Sequence, residues 1–170
     1  NRNGGLSKEE VASKLSAYLG AERILWLDHG YLAGDDTDSH IDTLARFVDK
    51  VSIAYVKCDD KEDEHYNSLL KMEEELQSFQ TPEGKPYRLI PLPMCEAKYN
   101  QEGNRLPATY ANFLITNKAL IYPTYNARTD KEADMIFKEI FPDKEIIPIN
   151  CEKLIEEGGS LHCSTMQITQ

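Results

Sequence analysis

The sequence predicts an α/β fold made of a repeated strand–strand–helix–strand unit. Three observations lead there. Short apolar runs alternate with two long amphipathic stretches, at 62–79 and 129–141. The strings Leu89-Ile90-Pro91-Leu92 and Ile146-Ile147-Pro148-Ile149 place their prolines at 91 and 148, a spacing of 57 residues. Each string closes one strand–strand–helix–strand set.

The elements follow in order. Ser7 and Glu10 make a capping box, Leu6 and Val11 a hydrophobic staple, and Gly20 a helix stop. Val11, Leu15, Tyr18 and Leu19 form the apolar stripe of that first helix. ERILWLD (22–28) reads as a short strand. HIDTLARFV (40–48) alternates, which predicts an extended segment with Ile41, Thr43, Ala45 and Phe47 on one face and His40 and Asp42 on the other. Asp49-Lys50 turns into the strand VSIAYV. A helix over 62–79 aligns Leu69, Met72, Leu76 and Phe79. YRLIPLP is a strand whose proline, unable to donate to a ladder, suits a sheet edge. YANFLI and ALIYP flank the turn Thr116-Asn117-Lys118. A third helix starts at Thr129, is capped with Glu132, and buries Ala133, Ile136, Phe137, Ile140 and Phe141. EIIPIN repeats the proline strand. After the short segment CEKLIEE, GGSLHCSTMQIT has a strand's composition.

Composition limits the function classes. The 170 residues are 41% hydrophobic and 28% charged, the balance of a soluble globular domain. The net charge of −10 argues against a nucleic-acid footprint. No apolar run approaches the roughly 20 residues a membrane span needs. The start, NRNGG, lacks an initiator Met and a signal-peptide pattern and reads as a point inside a longer gene product. Cys58, Cys95, Cys151 and Cys163 form no CxxC pair, so a zinc ribbon or thioredoxin motif is not expected, and reduced thiols in a cytoplasm are. His29 and His65 read as surface residues.

Two stretches carry candidate chemistry. From Asp35 to Asp42 the chain holds four aspartates and one histidine, then turns apolar. Asp38, His40 and Asp42, at spacing two, would share one side of a strand. Three readings stay open: a solvated acidic loop, a metal site, or a cation-binding acid/base site. An EF-hand fails, because its sixth and twelfth positions fall on His40 and Arg46, or on Ile41 and Phe47. Paired carboxylates match the planar donors of a guanidinium, and a histidine beside them can hold a proton near neutrality. In GGSLHCST (158–165), paired glycines allow close approach. His162 and Cys163, adjacent on a strand, would face opposite ways. Cys163 is either a nucleophile after a flexible turn or a small buried residue.

GDDTDSHID (34–42), PATYANFLITNKALIYPTYN (107–126) and GGSLHCSTMQIT (158–169) together resemble the agmatine deiminase and bacterial peptidylarginine deiminase family, within the guanidine-modifying pentein superfamily. The blocks occur in the family's order and the resemblance covers essentially the whole chain. It implies a partial α/β propeller, from a ring of five such units about a pseudo-fivefold axis. Residues 1–170 would be the C-terminal portion of a single pentein domain. It implies Cys163 as nucleophile, His40 as acid and base, and Asp42 and Asp36 as holders of the substrate. It implies a small cationic guanidinium substrate, agmatine, and no cofactor, metal, nucleic acid or membrane partner. Agmatine would become N-carbamoylputrescine in a cytoplasmic polyamine route; peptidylarginine deimination and an inactive guanidinium-binding fragment are the alternatives. An open ring would also favour a homo-oligomer. Ser39 stands where the family pattern has Gly. The Trp/Arg/Asp stretch and the further acidic residue of the family's first half have no counterpart before Ala21, so the isolated chain is expected to turn over little substrate.

Overall fold

Two three-stranded sheets follow one plan in the computed structural model, which describes residues 4–35 and 40–168. The first holds β1 (Ala45–Phe47), β2 (Ser52–Lys57) and β3 (Arg88–Pro93); the second holds β4 (Leu114–Ile115), β5 (Ala119–Thr124) and β6 (Glu145–Asn150). In each, a short antiparallel pair is followed by a parallel one: β1 against β2 and β2 along β3, then β4 against β5 and β5 along β6. A parallel pair needs a crossover. It is supplied by α2 (Tyr66–Ser78) in the first unit and α3 (Asp130–Ile140) in the second. The register repeats as well, since Pro91 lies beside Tyr55 and Pro148 beside Tyr122. Both proline strands are the outer members of their sheets among the described residues, as a missing N–H requires.

The two units share one apolar core. In β2, Ile53, Ala54, Tyr55 and Val56 are all buried, so that strand is covered on both faces. Leu69, Met72 and Leu76 of α2 form its predicted stripe. In the second unit Phe137 of α3 meets Phe113 edge-on at 5.3 Å and Tyr122 at 4.9 Å. No helix among the described residues is long and apolar enough to cross a membrane.

Several expected elements differ, each for a local reason. The first helix, α1 (Lys8–Leu19), has the predicted capping box and its Gly20 stop, but its stripe is not buried: Tyr18 is 84% and Leu19 73% exposed. Residues 22–28 form no strand. The carboxylate of Glu75 on α2 takes the amides of Asp28 and His29, and Leu25 and Leu27 lean on the core from a loop. Over 41–43 the predicted extended segment is a 3-10 turn, Ile41–Thr43, because the Thr43 hydroxyl bonds back to the His40 carbonyl at 2.7 Å. Helix α2 starts at Tyr66 rather than near 62, since the Asp60 and Asp63 side chains accept the amides of Glu62 and His65 and hold those residues in turns. Thr129 makes no side-chain cap; the Asp130 carboxylate fastens the turn instead, accepting from the amides of Tyr125 and Ala127.

Of YANFLI only Leu114–Ile115 enters a strand. The 158–168 segment is not a strand either. Gly158 closes a 3-10 turn at φ 77, and a second turn, His162–Ser164, is curled by bonds from the Ser164 and Thr165 hydroxyls to the carbonyls of Ser160 and His162. His65 is buried, contrary to the surface reading, whereas His29 is exposed as expected. Cys58, Cys95 and Cys151 are buried free thiols, and Cys163 is free and exposed.

Truncating Phe137 to Ala removes an aromatic ring from the shared core and is expected to cost about 3–5 kcal/mol. Met135→Ala, on the exposed side of the same helix, should stay within about 0.5 kcal/mol. Urea unfolding of both variants checks this; equal losses would contradict the packing described.

Candidate active site

The 3-10 turn Ile41–Thr43 is where the acidic run enters the core. It turns Asp42 inward, toward the segment that precedes β4 and toward the turn His162–Ser164. Three stretches far apart in sequence meet there, and the side chain that joins them is Asn112. It is fully buried. Its Oδ1 accepts the backbone amides of His162 at 2.7 Å and Cys163 at 3.2 Å. Two amide donors on that atom fix the orientation of the carboxamide. Its Nδ2 therefore points to the Oδ2 of Asp42 at 3.1 Å, the Asp42 carbonyl at 3.2 Å and the Sγ of Cys163 at 3.3 Å.

Asp42 Oδ2 is the second meeting point. It receives the Nδ1 of His162 at 2.7 Å, and the Cys163 thiol lies 3.7 Å away. His162 and Cys163 therefore do not face opposite ways, as they would on a strand; the tight turn brings both to one carboxylate. Gly159 lets this happen, because a Cβ there would lie 3.1 Å from that of Cys163. The turn is also held from behind. The Tyr125 hydroxyl, fully buried, donates to the Thr109 carbonyl at 2.9 Å and pairs with the Ser160 hydroxyl at 2.7 Å.

The electrostatics divide in two. Burial alone would push the Asp42 carboxyl up, but the His162 hydrogen bond and charge, Arg46 and Asn112 outweigh it and hold it below the ordinary carboxylate value. Its contribution to stability is thus fully present above the usual carboxylate range and is lost as pH falls through the lowered folded value. The Cys163 thiol goes the other way. Burial pushes it above the ordinary thiol value and the Asp42 carboxylate adds to that, while the backbone of Ser160 and the Asn112 amide oppose. Arg46 stacks over the Phe113 ring at 5.0 Å and donates to the Phe113 carbonyl at 2.7 Å. Burial lowers its guanidinium from the usual value; Asp42 and Cys163 pull it back up.

Of the residues singled out from sequence, Asp42 and Cys163 come together. His40 is half-buried just before the turn and its carbonyl accepts from Thr43. His162, rather than His40, is hydrogen-bonded to Asp42. Asp36 and Asp38 lie outside the described residues. Sequence reasoning missed Asn112 and Arg46. The signal for Asn112 was there: a lone amide inside the apolar run Tyr110–Ile115 must find partners when buried. Among the described residues no group of three His, Cys, Asp or Glu side chains is arranged to hold a metal ion.

The family model for Porphyromonas-type peptidyl-arginine deiminase matches residues 1–169. A curated protein of Legionella pneumophila (strain Paris), provisionally named an agmatine deiminase, is 36% identical over 168 residues, covering 98% of this chain and 48% of that protein. A crystal structure from Porphyromonas gingivalis, provisionally named an arginine deiminase, superposes with a TM-score of 0.96 at 54% identity, over 100% of this chain and 50% of that one. The agmatine deiminase of C. jejuni matches with a TM-score of 0.86 at 42% identity, over 96% and 47%. The chain spans about half the length of the curated relatives it matches.

Replacing Asn112 by Ala removes a donor to the sulfur, and a donor favours the thiolate. The thiol is then expected to titrate at still higher pH, so the midpoint of the pH profile for iodoacetamide alkylation of Cys163 should rise. A midpoint that stays put or falls would contradict the role of Asn112.

Proposed function

The chain belongs to the Porphyromonas-type peptidyl-arginine deiminase family, and from that premise we propose that the whole protein hydrolyses a guanidinium group and releases ammonia. Residues 1–170 would form the C-terminal portion of a single pentein domain, a partial propeller in which the two repeated units are successive blades. The observation that carries the reading is the approach of Cys163 to Asp42 across 121 residues of sequence.

The chemistry asks four things of these groups. A carboxylate must hold the substrate cation, and Asp42, kept ionised, offers its oxygens to the guanidinium N–H groups. Asp36 would add a second carboxylate. A sulfur must attack the guanidinium carbon as thiolate. By itself the Asp42 carboxylate disfavours that anion; an arriving cation offsets the carboxylate and brings the thiol down. Attack forms a C–S bond and a tetrahedral adduct. One nitrogen then leaves as ammonia, which needs a proton, and His40 is the proposed donor. This gives a covalent thiouronium. His40, now neutral, takes a proton from water, whose oxygen adds to the same carbon; the C–S bond breaks and a ureido product leaves. The sum is guanidinium plus water to ureido product plus ammonium, with no change of oxidation state.

Agmatine is the leading substrate, giving N-carbamoylputrescine, because GDDTDSHID resembles the agmatine branch. Peptidyl-arginine is the second reading, favoured by the description of the family model that matches the chain. Ammonia release from agmatine and from a blocked arginyl peptide, measured with the full-length protein, separates the two. Agmatine should turn over faster, and Cys163→Ser should reduce the rate by at least about 10³-fold. Undiminished turnover in Cys163→Ser would remove the nucleophile and the mechanism with it. The 170-residue chain by itself should be nearly inactive; a rate near the enzyme median of roughly 10 per second would contradict this.

A further inference from the structure

Downstream of the acidic run, a buried histidine is tied into a chain of bonds that the chemistry above does not use. We propose that His65 is a positioning residue for Asp35 and Asp42, the described ends of the acidic run, acting through the backbone of Ala33. The inference deepens the deiminase reading and rests on it for the identity of the ligand.

The His65 side chain is 0% exposed. Its Nε2 accepts the backbone N–H of Ala33 at 2.8 Å. A backbone amide can only donate, so Nε2 carries the lone pair and the proton sits on Nδ1. That proton points to Asp63 Oδ1 at 2.6 Å. Asp63 is fixed in turn: its other oxygen takes Arg105 NH2 at 2.7 Å, and Arg105 NH1 reaches Glu64 at 3.2 Å. Tyr31 stacks on the imidazole at 5.1 Å with the rings 21° apart. Every polar atom of His65 is committed, and the ring has one tautomer.

What the ring holds is the entrance to the acidic run. Ala33 precedes Gly34, whose φ is +83 and whose missing Cβ would lie 2.4 Å from the Arg105 carbonyl. Arg105 therefore grips both sides of the joint, with its guanidinium on Asp63 and its carbonyl against Gly34. Asp35 follows, and its Oδ2 lies 3.2 Å from the Thr43 hydroxyl, sharing the single proton that also reaches the His40 carbonyl at 2.7 Å. Thr43 is the neighbour of Asp42. A displacement of Ala33 thus passes to Asp35 and, through Thr43, to its neighbour Asp42, the proposed holder of the substrate cation. A loss there is expected in substrate binding more than in the chemical steps.

The test uses the full-length protein with His65→Phe and His65→Gln. It reads backbone amide exchange at Ala33, and kcat and KM for agmatine. Phenylalanine keeps the stack on Tyr31 but accepts nothing. It should speed exchange at Ala33 by about tenfold and raise KM about tenfold, with kcat within about twofold, the size of one lost hydrogen bond. Glutamine can accept from Ala33 and donate to Asp63, and should restore both readings toward the parent. Unchanged exchange in His65→Phe, faster exchange with an unmoved KM, or failure of His65→Gln to rescue would each overturn the proposal. If His65→Phe does not fold, Arg105→Met replaces it: freeing Asp63 should speed Ala33 exchange, and no change would overturn the tether. If the parent turns over no guanidinium compound, the deiminase reading fails, while exchange at Ala33 still decides whether His65 holds that backbone.

Discussion

Asn112 is a neutral amide in a place where the chain could have put a hydrophobic residue, and the site depends on that substitution of polarity for packing. It is fully buried, yet both its oxygen and its nitrogen are paired, with partners on residues 42, 162 and 163. Leaving those partners unpaired would cost about 1–3 kcal/mol for each buried group. The amide thereby converts three loops, none of them in a sheet ladder, into one rigid corner. The scaffold behind it is the repeated unit. Phe113, next to Asn112 in the chain, packs on Phe137 and Phe141 of the second unit and lies under the Arg46 guanidinium of the first. Packing and polarity are thus joined at adjacent residues.

The corner holds two acids that want opposite things. A carboxylate kept ionised raises the cost of a neighbouring thiolate, and Asp42 is among the causes that hold the Cys163 thiol up. Arg46 offsets part of that charge, but its guanidinium is already committed to the Phe113 carbonyl at 2.7 Å. The result is an anionic, partly open corner with the free Cys163 thiol exposed at its edge. A second planar cation would relieve the tension, and under the proposed function relief of this kind would favour a guanidinium over a neutral ligand. Under the proposed function, the charge of Asp42 is tolerated beside the core because a ligand cation would meet it.

How much of this the sequence disclosed depends on what kind of signal each part sends. The two units were legible because proline strings and helical stripes are local patterns, and both helices and both edge strands stand where those patterns put them, within a few residues. Segments 22–28, 41–43 and 158–168 were misread as strands because their composition is right for a strand but no partner strand accepts them. Side chains decide those places instead: Glu75 takes the amides of 28 and 29, and Thr43, Ser164 and Thr165 bond back to carbonyls. Such bonds depend on geometry a pattern of hydrophobicity does not encode. Asp42 and Cys163 were picked out by their resemblance to a family motif. Asn112 was quoted within a motif and given no task, because an amide earns its role only from what surrounds it. His65 was misassigned for the same reason, its partner Ala33 lying 32 residues upstream in the chain.

The most direct measurement is a crystal structure of the full-length Cys163→Ser protein with agmatine bound. The expected density places the guanidinium plane against the Asp42 carboxylate, its carbon facing the hydroxyl that replaces the sulfur, with the Asn112 amide still bridging residues 42 and 163. A guanidinium bound elsewhere on the protein, or an Asp42 carboxylate turned away from it, would contradict the account.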